Sequence, residues 1–343
     1  MKPNAQSKVL AINFGGIGDE ILFLPTLKSV RAAIPGCHLT LLLEPRSRSV
    51  QQVCPLIDRI VTFDIKKRPL YVSDLMELVG LIREGGYDVL ISSGSSKLVS
   101  ILLFLGGVEK RIGYDSGKLS HILLTNPVPL NRDQYAAMMY HDLATGLGVQ
   151  PACADKSIPE ITVPSANMSR MLALLAQNVT TARRSDAGGG AFKRIILHPG
   201  TSRLAVQKGI IKTWANDNWL QLIRFLSAEG NIEVLLAGGP DDEEIIADIM
   251  RAVPAEAPLI NCYGKTRDLA DLAALIHLSD AMVCVDSAPM HLGVALRKPL
   301  VALFGPTDEK KLVPDDPRFK TLRGGPVTAC DPQQQPQLQP RSE

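Results

Sequence analysis

Four short stretches of this 343-residue chain put polar and charged side chains beside glycines or at helix starts. The first is Phe14-Gly15-Gly16-Ile17-Gly18-Asp19-Glu20, a join between a strand and a helix. Glycines let a backbone approach a ligand closely, and a helix N-terminus offers unpaired N–H donors. Gly18 and Asp19 stand at that mouth; Asp19 is either a reacting acid or a plain helix cap, where a carboxylate is stabilised anyway. The second stretch is His198-Pro199-Gly200-Thr201-Ser202, followed by Lys212-Thr213-Trp214. The hydroxyls of Thr201 and Ser202 can hold phosphate oxygens, and Lys212 can neutralise them as a point charge. The other reading is a polar loop with a solvated lysine. The third is Gly238-Gly239-Pro240-Asp241-Asp242-Glu243-Glu244. Asp241 after a strand can accept ribose hydroxyls, whereas Asp242, Glu243 and Glu244 read better as a dipole-stabilised first turn. The fourth is Asp286-Ser287-Ala288-Pro289-Met290-His291, where a helix begins with Pro289 in its first turn. Its free N–H groups can take a pyrophosphate. His291 can donate to an anion or sit as a satisfied structural histidine.

Several familiar patterns are missing. The dinucleotide fingerprint fails because Gly16 and Gly18 are followed by Ile21 where a third small residue is needed. The first stretch lacks the Gly-Lys-Ser/Thr of a Walker loop, and no D-x-D, H-E-x-x-H or G-x-S-x-G occurs in the chain. The six cysteines are scattered without a C-x-x-C, so neither a zinc site nor a disulfide framework is expected. No metal site or cofactor is expected either.

The elements that must position these residues alternate. Strands are predicted at Val9–Phe14, Leu39–Leu43, Ile60–Phe63, Val89–Ser92 and Arg111–Gly113. Helices are predicted at Asp19–Ala33, Val72–Glu84 and Lys97–Leu105 between them. The pattern weakens between Gly148 and Gly190, with a helix over Met168–Thr181 and a turn-rich break at Asp186–Gly190. A second set follows, with strands at Arg194–His198, Glu233–Ala237, Leu259–Asn261, Ala281–Val285 and Leu300–Phe304. Its helices fall at Trp219–Glu229, Asp242–Arg251, Leu269–Leu278 and Ala288–Leu296. Such alternation signals parallel sheets covered by helices. The fold class is therefore α/β, with two doubly wound domains whose ligand cleft lies at the carboxyl ends of their strands. The expected division is 1–165, a linker over 166–190, 191–330, and a disordered Pro/Gln-rich tail at 331–343.

Composition agrees with a folded protein of two domains at roughly 150 residues each. Hydrophobic residues are 45% and charged residues 21%, so disorder is excluded as the main state. A formal net charge of +2 is too small for a chain whose main partner is nucleic acid. The slight positive excess lies in the first 150 residues and includes Lys66-Lys67-Arg68. That cluster is either a solvated loop or a contact for an anionic membrane surface. No signal peptide or spanning helix is visible, so a cytoplasmic protein is expected.

Taken together and in this order, the motifs resemble glycosyltransferase family 9, the ADP-heptose:lipopolysaccharide heptosyltransferases. The carriers are Gly18-Asp19 with Pro25, His198-Pro199-Gly200-Thr201-Ser202, Lys212-x-Trp214, Gly238-Gly239-Pro240-Asp241, Asp286-Ser287-x-x-Met290-His291 and Phe304-Gly305-Pro306-Thr307. The resemblance implies a GT-B fold of two Rossmann-like domains facing a central cleft, with the acceptor on the N-terminal domain and the nucleotide-sugar donor on the C-terminal one. It implies inverting, metal-independent transfer, with Asp19 as general base. Lys212 and the helix start at Ser287, Ala288, Met290 and His291 would stabilise the leaving pyrophosphate. Gly18, Thr201, Ser202, Asp241 and Asp286 would complete the donor site. The partners implied are ADP-heptose and a phosphorylated glycolipid acceptor, with peripheral contact at the inner membrane surface. Lys208 in Gln207-Lys208-Gly209 competes with Lys212 for the phosphate role. Another nucleotide-sugar donor, a binding protein without catalysis, and an NAD(P)-dependent oxidoreductase remain as alternatives.

Overall fold

The computed structural model describes residues 6–151, 157–178, 192–207, 209–210, 212–254 and 257–324. The first half forms a six-stranded sheet from β1 (Lys8–Ile12), β2 (His38–Leu43), β3 (Arg59–Thr62), β4 (Val89–Ser92), β5 (Lys110–Asp115) and β6 (Asn126–Pro129). Its order is β3-β2-β1-β4-β5-β6, and every pairing is parallel. In register, Val9 lies between Leu39 and Val89. The connecting helices are α1 (Ile17–Ala33), α2 (Val72–Gly85), α3 (Lys97–Leu105), α4 (Lys118–Leu123) and α5 (Ala136–His141), with a 3-10 segment at Pro45–Val53.

After α6 (Ser165–Gln177) comes a second sheet of the same design. Its strands are β7 (Lys193–His198), β8 (Ile232–Leu236), β9 (Leu259–Asn261), β10 (Ala281–Val285), β11 (Leu300–Phe304) and β12 (Phe319–Arg323). They run in the order β12-β11-β10-β7-β8-β9, again all parallel. The helices are α7 (Arg203–Gln207), α8 (Asn216–Ala228), α9 (Glu243–Ala252), α10 (Leu269–His277), α11 (Ala288–Ala295) and α12 (Glu309–Leu312).

Helices on both faces bury the central strands from either side, so those strands read as unbroken apolar runs. From Val9 to Ile12 every residue of β1 is buried. Two of the four edge strands escape that signal. β6, at one edge, contains Pro127 and Pro129, which a central strand would not tolerate. β12, at another edge, alternates buried and exposed positions. The sequence reading contained neither strand, and it also lacked α4 and α5. The predicted break at 186–190, the tail at 331–343 and Lys208 lie outside the described residues.

Each sheet reverses its strand order once, between β1 and β4 and between β7 and β10. Ligands bind at such switch points, outside the carboxyl ends of the strands. The stretch 13–19 leaves β1, 198–202 leaves β7, and 286–291 leaves β10. The fold thus delivers three of the four chemical stretches to switch points.

The two halves share one apolar core. From Glu20 to Leu27 every residue of α1 is buried, a pattern for a helix covered on more than one face. Ile21, Phe23 and Leu27 of α1, with Val50 and Val53 of the 3-10 segment, join Ala273 and Ala274 of α10 and Leu292 of α11 in one cluster. α6 is tied to the second half. Asn167 Nδ2 donates to Asp271 Oδ1 at 2.9 Å, and Arg170 Nε donates to Asp271 Oδ2 at 3.1 Å. Asp271, on α10, is fully buried. Burial opposes its ionisation, yet the Arg267 N–H, Arg170 and Asn167 hold its carboxyl below the usual range.

Candidate active site

Asp19 sits at the third position of α1. Its Oδ2 accepts the Gly16 N–H at 2.8 Å, closing the helix start. Its Oδ1 accepts the hydroxyl of Tyr140 on α5 at 3.3 Å. Burial, then the neighbouring Asp19 charge, drives the Tyr140 phenol far above its usual pKa, so it remains a neutral donor. Next to Asp19, Glu20 is buried inside the half, and burial raises its carboxyl well above the usual range. Two adjacent acids therefore face different surroundings: one meets donors at the helix mouth, and the other is pushed by burial toward its neutral form.

The start of α1 meets the start of α11. A Cβ on Gly18 would come within 2.7 Å of His291 Cδ2. Only a glycine lets the two helix ends approach this closely. His291 is buried, and its Nδ1 has no hydrogen-bond partner among the described residues. Burial lowers its pKa, with Asp286 and Asp19 pulling it up and Lys212 pushing it down. Those charges surround it from α1, the end of β10 and the loop before α8.

Lys212 Nζ lies 2.6 Å from Asp286 Oδ2, and the Thr307 hydroxyl donates to the same oxygen at 2.5 Å. Asp286 is buried. A buried carboxylate requires such partners, so Asp286 acts as an anchor that aims Lys212. Ser287 occupies the N-cap position of α11 but makes no capping bond; its hydroxyl donates to Val285 O at 3.3 Å. Ala288 and Met290 follow in the first turn, and Met290 is fully buried.

Thr201 is buried, while Ser202 is exposed and its Oγ accepts the Ala205 N–H at 3.3 Å, starting α7. Asp241 accepts the Arg203 N–H at 2.9 Å. No hydrogen bond or ion pair among the described residues joins Asp241 to Lys212, Asp286 or His291. Its neighbour Asp242 has the buried position. Asp242 Oδ2 accepts the Gly239 N–H at 2.7 Å and lies 3.9 Å from His198 Nε2. Its carboxylate occupies the space where a Cβ of Gly200 would go. Burial raises Asp242 to about 6 and lowers His198 to about 4. Both groups are therefore driven toward their neutral forms.

Part of the predicted set comes together: Gly18 and Asp19 face His291, with Lys212 and Asp286 beside it, while Thr201, Ser202 and Asp241 make no hydrogen bond or ion pair with that group among the described residues. Tyr140 was invisible in the sequence, since a tyrosine on a short helix carries no spacing signal. Thr307 lay within a noted motif without a role. The Lys66-Lys67-Arg68 cluster is largely committed internally: Lys66 pairs with buried Glu44 at 2.6 Å and Lys67 with Asp74 at 3.0 Å.

The chain is 25% identical over 299 residues to the lipopolysaccharide heptosyltransferase 3 of Escherichia coli, covering 85% of this chain and 81% of that protein. A crystal structure of a family 9 glycosyl transferase from Veillonella parvula superposes with a TM-score of 0.73 at 21% identity, over 92% of this chain and 86% of that one. The structure of E. coli ADP-heptose lps heptosyltransferase II gives 0.68 at 21% identity, over 92% and 90%. These neighbours establish the GT-B fold of two Rossmann-like sheets. The model of glycosyltransferase family 9 (heptosyltransferase) matches residues 76–337. With the two switch points brought together and the family pattern running through most of its length, the chain belongs to glycosyltransferase family 9.

Proposed function

We propose that the protein transfers a heptose from ADP-heptose to a lipopolysaccharide-core or related cell-surface glycan, with inversion and without a metal. The observation that carries this reading is the meeting of α1 and α11, which sets Asp19 of one half against the His291 helix start of the other. A base on one side and an anion site on the other suit a single displacement. Asp19 takes the proton from the acceptor hydroxyl as its oxygen bonds to the anomeric carbon. The bond from that carbon to the diphosphate breaks, and the electron pair leaves with the nucleoside diphosphate. Lys212, the Thr201 and Ser202 hydroxyls and the N–H groups of Ser287 and Ala288 at the start of α11 then stabilise the charge, while the Met290 N–H closes that turn on Ser287 O at 3.0 Å. Asp286 positions Lys212, and Asp241 is assigned to the donor ribose. No cofactor takes part.

In this reading residues 1–165 hold the acceptor and 191–330 the donor. The protein works on the cytoplasmic side of the inner membrane, in peripheral contact with it. No described helix is long and apolar enough to cross a membrane.

Calorimetric titration with ADP, UDP, GDP and CMP, with and without EDTA, tests the donor. ADP is expected to bind best, and EDTA to change nothing. Preference for UDP or GDP would move the donor to another sugar nucleotide. A requirement for a divalent ion would overturn the metal-free mechanism. Binding of NAD(P)H alone would return the chain to the oxidoreductase reading.

A further inference from the structure

The outer faces of α2, α3 and α4 are unusually apolar. Twelve large hydrophobic side chains are exposed among the described residues, and nine of them lie on these helices or at the N-cap of α2. On α3 they are Leu98, Ile101, Phe104 and Leu105; on α4 they are Leu119 and Ile122. Leu98, Ile101 and Leu105 follow the i, i+3, i+7 spacing of one helix stripe. The opposite stripe, Leu102 and Leu103, is buried against the sheet. α3 is therefore apolar on the core side and on the solvent side. Val72 and Met76 extend the patch onto the first turns of α2, where they are 76% and 55% exposed.

On α3 and α4 the charges at the helix starts have one sign, whereas α2 carries Asp74 and the exposed Glu77. α3 begins with Lys97 and α4 with Lys118, and neither helix contains Asp or Glu. Neither lysine makes an ion pair among the described residues. A cation in the first turn opposes the helix dipole. By contrast α1, α2, α8, α9, α10 and α12 all carry an acid there. The two lysines thus disfavour their own helices slightly and match an anionic surface outside.

We infer that the exposed face of α3 and α4 is a docking surface for an anionic lipid bilayer. Apolar side chains enter the interfacial layer, while Lys97 and Lys118 meet headgroup phosphates. Arg68, just before α2, adds a third cation, since Lys66 and Lys67 are held by Glu44 and Asp74. A second copy of the chain fits less well. A two-fold interface sets a patch against itself, and α3 and α4, which carry lysines and no carboxylate, do not complement themselves. The first turns of these helices follow the carboxyl ends of β4 and β5, the same end of the sheet from which Asp19 emerges. A bilayer on this face presents a lipid-linked acceptor at the edge of the cleft. The inference deepens the proposed function, for it rests on the acceptor being lipid-linked.

The test is sedimentation of the full chain with phosphatidylcholine vesicles, with and without phosphatidylglycerol, and with neither donor nor acceptor present. Binding is expected only to the anionic vesicles and should weaken with salt. The pair Lys97→Glu and Lys118→Glu should weaken it by about tenfold or more, at about 1 kcal/mol per basic residue. The pair Ile101→Ser and Phe104→Ser should abolish it. Both variants replace exposed side chains, and ADP titration checks that they are folded. Undiminished vesicle binding by both variants, or no binding by the wild type, overturns the assignment. So does a dimer on sizing that Ile101→Ser and Phe104→Ser dissociates, because the face then belongs to a second copy. Vesicle binding without any ADP binding would count against the proposed donor and leave this surface standing.

Discussion

At Asp19 the helix cap and the reacting acid are the same atoms. Oδ2 is committed to the Gly16 N–H, while Oδ1 meets only the Tyr140 hydroxyl at the longer distance of 3.3 Å. A carboxylate oxygen has two lone-pair directions, so Oδ1 retains one for an incoming hydroxyl proton. The substitution Asp19→Asn separates the two roles. Its amide oxygen can still accept the Gly16 N–H, so the helix start and ADP affinity are expected to persist. Transfer should fall by about 10²–10⁴-fold, the range for losing a positioned general base. Steady-state kinetics beside ADP calorimetry reads both. Undiminished transfer would leave Asp19 as a cap alone. The sequence singled out Asp19 because a glycine turn precedes it, but nothing in it pointed to Tyr140, 121 positions away.

Elements decide which of two neighbouring acids is exposed. The sequence reading favoured Asp241 over Asp242 for the ribose. The turn from β8 into α9 faces Asp241 toward α7 and tucks Asp242 under Gly200. Asp242 is raised to about 6 in the fold, against 3.8 as its ordinary value. Between those two values the folded chain keeps a proton that the unfolded chain has released, so stability falls as pH rises through the window. Above pH 6 the full penalty is present. Asp242→Asn removes it while leaving an acceptor for the Gly239 N–H. The variant should be more stable than the wild type by about 3 kcal/mol at pH 8 and within about 1 kcal/mol of it at pH 4. Thermal unfolding at both values measures this, and an equal gain at each would refute it. His198 acts in the opposite direction, being held neutral down to about 4, but the substitution leaves that contribution in place.

Across the whole molecule, α6 links the halves in a way its position in the chain does not suggest. It follows the first sheet in sequence and is bonded to α10 of the second through Asp271. Arg170→Ala would leave a fully buried carboxylate with only Asn167 and backbone donors. The expected cost is about 2–3 kcal/mol, since a buried charge loses its main partner. Urea unfolding would show it as a lower midpoint. An Arg170→Ala variant as stable as the wild type would mean that Asp271 is already satisfied without the guanidinium.

The amino-acid sequence by itself determined the repeated strand–helix rhythm, and with it the class of fold. Central parallel strands are covered on both sides, so their apolar runs are local and continuous. It also marked the strand ends that carry the chemistry, because a backbone turning into a helix beside a ligand needs glycine, hydroxyl or acid within a few residues. The tertiary structure alone decided the pairings. Lys212 found Asp286, 74 positions away, and Gly18 found His291 in the other half. Lys66 and Lys67, though exposed, pair with Glu44 and Asp74, while Lys97 and Lys118 make no ion pair among the described residues. Periodicity records how a segment is buried over a turn or two. Which charge meets which depends on where two sheets bring their carboxyl ends together, and that is a property of the packed core rather than of any local stretch.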